Sequence, residues 1–144
     1  MAKDETVVDV LGGKKVLGAH AGQAGVLLKR LRNGLPYQTF DSVRENLQLE
    51  TERMQQIVGV PARTLARRKI SRTFTKEESD RLYRVARIAA LAADVLGEEA
   101  RAFAWLRTPN RSLEGDAPVD RLDTDLGTQQ VEQLLGRIDH GIFG

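Results

Sequence analysis

The most constraining feature of this chain is a pair of short helical patterns joined at a glycine, between Thr51 and Arg72. The first pattern repeats apolar residues at helical spacing, namely Met54, Ile57 and Val58. Gly59 suits a tight turn, and Pro61 suits the first turn of a second helix, where its missing N–H is no loss. We therefore predict two helices that meet at a corner, with Val60 closing the angle from inside.

The second helix of this pair is predicted to place positive charge opposite its apolar side. Successive helical residues are rotated by about 100°, so an inward Leu65 places Ala62 inward as well. Arg63 and Arg67 then point directly away from the core. A DNA major groove accepts a helix with such an outer face, which predicts a DNA-binding helix-turn-helix. The residues predicted to contact DNA are Arg63, Thr64, Arg67, Arg68, Lys69 and Arg72.

The same pattern also has a purely structural interpretation. Any two-helix corner of an all-α protein can show apolar residues around a glycine, and arginines commonly solvate a surface. Gln55 favours this interpretation, because helix-turn-helix proteins usually have a small residue four positions before the turn glycine. The pattern by itself leaves both interpretations open.

Composition favours a helical protein with a buried core. The chain has 144 residues, enough to bury a core without cross-links, and only 5% of them are aromatic, which favours helices over sheets. It contains no cysteine, which excludes disulfides and thiolate metal sites and suits a reducing cytosol. No apolar run approaches the roughly twenty residues of a membrane span, and the N-terminus does not resemble a signal peptide. We therefore expect a cytoplasmic protein that does not associate with membranes.

Charge is distributed unevenly along the chain. Residues 63–87 contain nine basic and three acidic residues, a net charge of +6. Residues 112–144 contain two basic and seven acidic residues, a net charge of −5. This asymmetry indicates one surface suited to nucleic acid and a separate surface suited to another partner.

We predict three segments: a helical arm over residues 1–35, a helix-turn-helix domain with a long connecting helix over 36–97, and a small helical domain over 98–144. Within the arm, Thr6–Leu11 and Ala21–Leu31 are predicted to be short helices. The glycine pair between them lacks the spacing of a phosphate-binding loop, so we reject nucleotide binding. The predicted fold class is therefore all-α.

The long helix has a clear start and stop. Thr75 and Glu78 form a capping box, in which each side chain satisfies a free backbone amide of the other residue. The helix is predicted to run over residues 76–96 and to end at Gly97. Its second half has an extra apolar strip, which requires a second partner, either the C-terminal part of the same chain or another subunit. The strip residues predicted to form a dimer interface are Ile88, Leu91 and Val95.

The C-terminal part is predicted to contain two helices around a loop. Residues 98–106 form the first, with Trp105 expected to lie in the core. A stretch rich in proline, glycine and aspartate follows, and Thr124 then caps the last helix, which ends at Gly141. Arg137 lies among apolar residues of that helix, so we expect it to have a carboxylate or carbonyl partner inside the domain or on a bound protein.

The stretch WLRTPNRSLEGDAPVDRLDTDLGTQQVEQLLGRIDHGIF resembles the C-terminal domain of the antitoxin family named for MbcA, ParS and Xre. Upstream, RTLARRK, FTKEESDRL and NGLP resemble the Xre-type members, so the likeness covers residues 33–142. The matching positions in the C-terminal stretch are Trp105, Leu106, Pro109, Asn110, Leu113, Gly115, Pro118, Leu122, Thr124, Gly127, Val131, Leu135, Arg137, Ile138 and Gly141.

This resemblance implies a bacterial type II antitoxin whose partner is a RES-domain toxin that consumes NAD⁺. It implies a C-terminal domain that binds the toxin and obstructs its active site. It further implies a helix-turn-helix that binds operator DNA and represses the operon, with the chain as a homodimer within a larger toxin–antitoxin complex. The residues predicted to bind the toxin are Asn110, Arg111, Arg137, His140, Gly141, Ile142 and Phe143.

The residues offer little support for an enzyme. His20 and His140 are the only histidines, and neither has a neighbouring ligand at metal-binding spacing. No serine lies in a nucleophile motif. We therefore predict no catalysis, no metal and no cofactor. Two alternatives to an antitoxin stay open: a stand-alone helix-turn-helix regulator or partition protein without a toxin, and a structural helical module without DNA affinity.

Overall fold

The computed structural model describes residues 4–141, and within them the protein is all-α, as predicted, with no strand. The α-helices are α1 (Asp4–Val10), α2 (Gly13–Leu17), α3 (Ala24–Asn33), α4 (Gln38–Leu47), α5 (Thr51–Val58), α6 (Ala62–Ser71), α7 (Lys76–Leu96), α8 (Glu99–Arg107) and α9 (Asp125–Asp139). Two 3₁₀ helices, Arg111–Leu113 and Pro118–Asp123, lie between α8 and α9.

The corner between α5 and α6 forms where the sequence predicts it. Gly59 ends α5 in the left-handed conformation with φ of +65°, and the backbone N–H of Val60 donates to the carbonyl of Gln55. Val60 is completely buried. The prediction for Ala62 is wrong, because this residue is exposed. Leu65 is the buried residue of α6, and the methyl side chain of Ala62, one turn earlier, is too short to reach the core.

Helix α7 is the central element of the structure. It packs against α1, α3, α4, α5, α8 and α9. The predicted capping box is present, with the side chain of Thr75 accepting from Glu78 N at 3.2 Å and Glu78 Oε1 accepting from Thr75 N at 2.8 Å. Gly97 ends the helix with φ of +92°, also as predicted. A helix surrounded on so many sides explains why its apolar residues extend beyond one face.

The extra apolar strip of α7 is at least partly internal. Ile88 is completely buried within the chain, so the prediction that it contributes to a dimer interface is wrong. The second partner that the strip requires comes from α8 and α9 of the same chain. Leu91 and Val95 are half-buried against the same core and keep part of their surface exposed.

Residues 4–33 contain more helix than predicted and belong to the common core. The predicted helices correspond to α1 and α3, whereas α2 begins at the second glycine of a pair that by itself indicates only a break. Helix α1 packs against α7, and Val7, Val10 and Leu11 are buried there. Buried side chains from all three predicted segments therefore form one continuous hydrophobic cluster.

Candidate nucleic-acid and partner interfaces

The outer side of α6 is exposed, as the helical pattern predicts. Arg63 and Arg67 are exposed, and Thr64 between them is half-buried. The one contact within this group is a long hydrogen bond of 3.4 Å from Arg67 Nη2 to the Thr64 hydroxyl. No side-chain hydrogen bond or ion pair joins Arg63 or Lys69 to another described residue, so the side-chain donors of both are available. Free guanidinium groups on one outward side suit contacts to bases or phosphates.

Arg68 differs from the other basic residues of α6, because its guanidinium is already paired. Its Nε donates to Glu78 Oε1 at 2.7 Å and its Nη2 donates to Oε2 at 3.0 Å. The carboxylate side chain is only 8% exposed. Burial by itself raises the pKa of Glu78, but hydrogen bonds from Arg68 and Thr75 outweigh it and hold the pKa below its ordinary value of 4.5. The pair thus joins α6 to the first turn of α7, a structural role that the sequence did not indicate.

Arg72 is the residue that follows α6, and its backbone conformation ends the helix. It adopts the left-handed conformation with φ of +73°, and its N–H donates to the carbonyl of Arg68 at 2.7 Å. Its own carbonyl accepts from Tyr37 N at 2.8 Å, while its side chain is exposed. The backbone of Arg72 therefore fastens the end of α6, and its guanidinium remains available.

The loop between α8 and α9 is organised by an arginine that the sequence analysis did not single out. Arg121 donates from Nη2 to the carbonyl of Leu113 at 2.7 Å and from Nε to Asp116 Oδ2 at 3.1 Å. Its Nη1 donates to the side-chain oxygen of Gln130 on α9. Its side chain is only 15% exposed. The available signal was an arginine flanked by aspartates in the loop, because a guanidinium can bind several loop oxygens at once.

The start of α9 packs closely on this loop. The Thr124 hydroxyl accepts from Gly127 N at 2.9 Å, which confirms the predicted cap. Gly127 is buried, and a Cβ at that position would overlap the carbonyl oxygen of Arg121. Glycine is therefore required here by close backbone approach, since its φ is not in the left-handed region.

The residues predicted to bind a toxin lie at two places. Asn110 is half-buried and caps the first 3₁₀ helix by accepting from Ser112 N at 2.9 Å, and Arg111 beside it is exposed. Arg137 and His140 are exposed at the end of α9. No hydrogen bond or ion pair joins the first place to the second within the described residues.

At the end of α9 the predicted helix stop is present, but the expected partner of Arg137 is not among the described residues. Gly141 follows the helix with φ of +78°, as expected for a helix stop. A partner for Arg137, expected inside the domain or on a bound protein, is not found among residues 4–141, where its side chain is exposed. Trp105 is half-buried against the core, which agrees with the expectation for it. Ile142 and Phe143 lie outside the described residues.

Three arginines of the helix-turn-helix part form ion pairs with carboxylates of the C-terminal part. Arg53 on α5 binds both carboxylate oxygens of Asp120 at 2.9 Å. Arg84 on α7 donates to Asp125 Oδ1 at 2.7 Å, and Arg87 donates to both carboxylate oxygens of Glu132 at 2.9 and 3.3 Å. Part of the positive and negative excess in the sequence is therefore paired inside the molecule, whereas Arg63, Lys69 and Arg72 on and beside α6 form no ion pair within the described residues.

The described residues contain no group of three or more histidine, cysteine, aspartate or glutamate side chains that could hold a metal ion. None of the helices in residues 4–141 is both long and apolar enough to cross a membrane.

Comparison with known proteins decides the family. Residues 26–87 match the model of the antitoxin Xre-like helix-turn-helix domain, and residues 91–141 match that of the antitoxin Xre/MbcA/ParS C-terminal toxin-binding domain. A protein named antitoxin Xre from Yersinia enterocolitica is 31% identical over 129 residues, covering 88% of this chain and 87% of that protein. The chain belongs to the Xre antitoxin family.

Other similar proteins support the same family. Antitoxin Xre of Pseudomonas putida is 42% identical over 83 residues, 57% of this chain and 52% of that protein. Antitoxin Xre of Photorhabdus laumondii is 33% identical over 114 residues, 78% of this chain and 77% of that protein. The crystal structure of the M. tuberculosis MbcT–MbcA toxin–antitoxin complex contains a similar chain, with 29% identity, a TM-score of 0.55 and coverage of 75% of this chain and 96% of that one. The resemblance stated from sequence is confirmed.

Proposed function

We propose that this antitoxin neutralises a RES-domain toxin that degrades NAD⁺ and represses its own operon in the bacterial cytoplasm. The single observation that supports separate surfaces for DNA and for the toxin is the position of three exposed arginines. Arg63 and Arg67 lie on the outward side of α6 and Arg137 lies at the far end of α9 in the toxin-binding domain of the family, and none of the three forms an ion pair within the described residues. Blocking an active site requires only bulk over the cleft, so the proposal assigns no catalysis, metal or cofactor to this chain.

The DNA-binding half is supported by the exposed outer side of α6. If Arg63 donates two hydrogen bonds to a guanine edge, Arg63→Ala should weaken specific binding by about 1–3 kcal/mol. Arg72→Ala, which removes a phosphate contact, should weaken binding to all sequences alike and flatten the salt dependence. Gel shifts with the promoter DNA of its own operon at several salt concentrations measure both effects.

The matched control for DNA binding is Arg101→Ala on α8, which removes an equal charge from an exposed position outside the helix-turn-helix. It should leave the affinity almost unchanged. An unaltered affinity in the double variant of Arg63 and Arg67 would contradict the assignment of α6 to DNA.

The toxin-binding half is supported by charge and exposure at the end of α9. The segment from residue 112 onwards has a net charge of −5, part of which is paired with arginines inside the molecule, and an acidic surface is steered towards a basic, nucleotide-binding cleft. Arg137 is the proposed polar anchor, because it is exposed and free of partners within the described residues. Arg137→Ala should weaken the complex, whereas Gln129→Ala, an exposed position on the same helix, should not.

The decisive experiment is co-expression of the chain with the product of the adjacent gene. The two should co-purify, and growth and NAD⁺ levels should be restored. Deleting residues 140–144 should leave the fold and DNA affinity intact, because these residues follow the last residue of α9, and should weaken neutralisation strongly. Full protection by the truncated chain would assign the blocking role to residues 109–125. DNA binding with no toxin in the adjacent gene would favour a stand-alone regulator.

The proposed homodimer is supported by the exposed parts of Leu91 and Val95 on α7. Leu91→Glu should lower the mass in solution while helicity is kept. Unfolding by that substitution would show that both residues serve only the internal core.

A further inference from the structure

One apolar side chain lies in register with the outward arginines of α6. Ile70 is 84% exposed, more than Leu28 at 46% or Leu126 at 67%, which are the other large exposed hydrophobic residues of the described chain. At about 100° per residue, Ile70 points within about 20° of Arg63 around the helix and about 60° from Arg67. Single exposed apolar residues are common on proteins. Ile70 differs from such residues because it shares its side of the helix with two guanidinium groups that form no ion pair within residues 4–141.

The orientation of α6 is set by its other side. Leu65 is buried, and Arg68 is bound to Glu78 through two hydrogen bonds of 2.7 and 3.0 Å. Arg68 lies about 160° from Ile70 around the helix. The helix cannot turn Ile70 away from an approaching ligand without breaking this partly buried ion pair. The outward side is therefore a fixed surface on which the three side chains keep their relative positions.

We propose that Ile70 contacts the 5-methyl group of a thymine in the major groove and so contributes to the sequence specificity of this antitoxin. The inference rests on the proposed DNA binding and adds the identity of a base. Thymine is the only base with a methyl group in the major groove, and apolar side chains recognise it by contact. A sec-butyl side chain offers nothing to a phosphate, so an apolar position among cations suits a base edge.

The spacing on the helix fits such a contact. Ile70 lies seven positions after Arg63, which corresponds to about 10 Å along the helix axis. This is about three base-pair steps of 3.4 Å each. Zinc-finger helices read three successive bases with side chains spread over a similar length. A guanine facing Arg63 and a thymine about three steps away therefore form the expected core of the site.

The test removes the DNA methyl groups and the protein side chain separately. A duplex bound by the full-length chain is selected from a random-sequence library and synthesised again with every thymine replaced by deoxyuridine. This replacement removes only methyl groups and preserves base pairing. Dissociation constants of the wild type and of Ile70→Ala are then measured on both duplexes at one salt concentration, together with the solution mass and the helicity of each protein.

The wild type should prefer the thymine duplex, by roughly fourfold for each buried methyl group. Ile70→Ala should lose about fourfold of that preference and should bind the deoxyuridine duplex about as tightly as the wild type does. Leu126→Ala removes another exposed apolar side chain, from α9, and should keep the full preference. Arg63→Ala should weaken binding to both duplexes and keep the preference unchanged.

Two results would overturn the inference in distinguishable ways. If the wild type selects a site but Ile70→Ala keeps the full thymine preference, Ile70 does not read thymine and the proposed DNA binding survives. A changed solution mass in that case would assign Ile70 to a protein interface instead. If the wild type shows no salt-dependent affinity for any duplex, the proposed DNA binding fails and the inference fails with it.

Discussion

Adding one methyl group at Gly127 tests the packing of α9 on the loop that precedes it. The new Cβ would lie 2.9 Å from the carbonyl carbon of Arg121 and 3.0 Å from the hydroxyl oxygen of Thr124, and it would overlap the carbonyl oxygen of Arg121. The first obstacle is backbone, so rotation of a side chain cannot relieve the overlap. Gly127→Ala must therefore displace the start of α9 from the loop and disturb the Thr124 cap.

The magnitude follows from three contributions. Overpacking typically costs 1–3 kcal/mol, and a rigid backbone obstacle places this site at about 3 kcal/mol. A disturbed N-cap destabilises the fold by about 1 kcal/mol more, while the better helix propensity of alanine stabilises it by about 1 kcal/mol. We expect the free energy of unfolding to fall by about 3 kcal/mol. At roughly 2–4 °C per kcal/mol, the melting temperature should fall by about 6–12 °C.

The same helix offers a matched control. Gly136 also lies within α9, and a Cβ there would meet no atom within 4 Å. Gly136→Ala should therefore stabilise the chain by about 0.5–1 kcal/mol through helix propensity alone. Urea unfolding of both variants, followed by circular dichroism, measures the difference. Equal stability of the two variants would refute the conclusion that Gly127 is required by close backbone approach.

Three further predictions concern stability. Folding lowers the pKa of Glu78, so the ionised carboxylate adds to the free energy of unfolding. This stabilisation is fully present above pH 4.5, the ordinary pKa, and is lost as pH falls through the lowered pKa. The difference in free energy of unfolding between the wild type and Glu78→Gln should shrink over the same fall in pH. The side chains of Arg87 and Glu132 are 35% and 36% exposed, so a double-mutant cycle should give a coupling of only about 0.5–1 kcal/mol that decreases with salt. Gly34→Ala should destabilise by about 2–4 kcal/mol, because φ is +99° and the Cβ would overlap a backbone carbonyl. Gly18→Ala, with φ of +97° and open space, should cost only the left-handed strain of about 1–2 kcal/mol, and equal urea midpoints for the two glycine variants would contradict the overlap.

The amino-acid sequence alone determined where most helices begin and end. The capping box of Thr75 and Glu78, the turn at Gly59 and the stop at Gly97 were all predicted, because caps and turns depend on residues within a few positions of one another. The pattern of α6 also predicted the exposure of Arg63 and Arg67. Sequence resemblance identified the family, since its marks recur at fixed spacing along the C-terminal part.

Only the tertiary structure decided which side chains are free. Arg68 and Arg67 are neighbours in sequence, yet Arg68 is bound to Glu78 while Arg67 faces outward. Ile88 is buried because α8 and α9 return to cover α7, and Arg121 binds oxygens from both the loop and α9. Local periodicity specifies the direction of a side chain around its own helix. It does not specify which distant segment will cover that side, because covering depends on contacts between residues far apart in the chain.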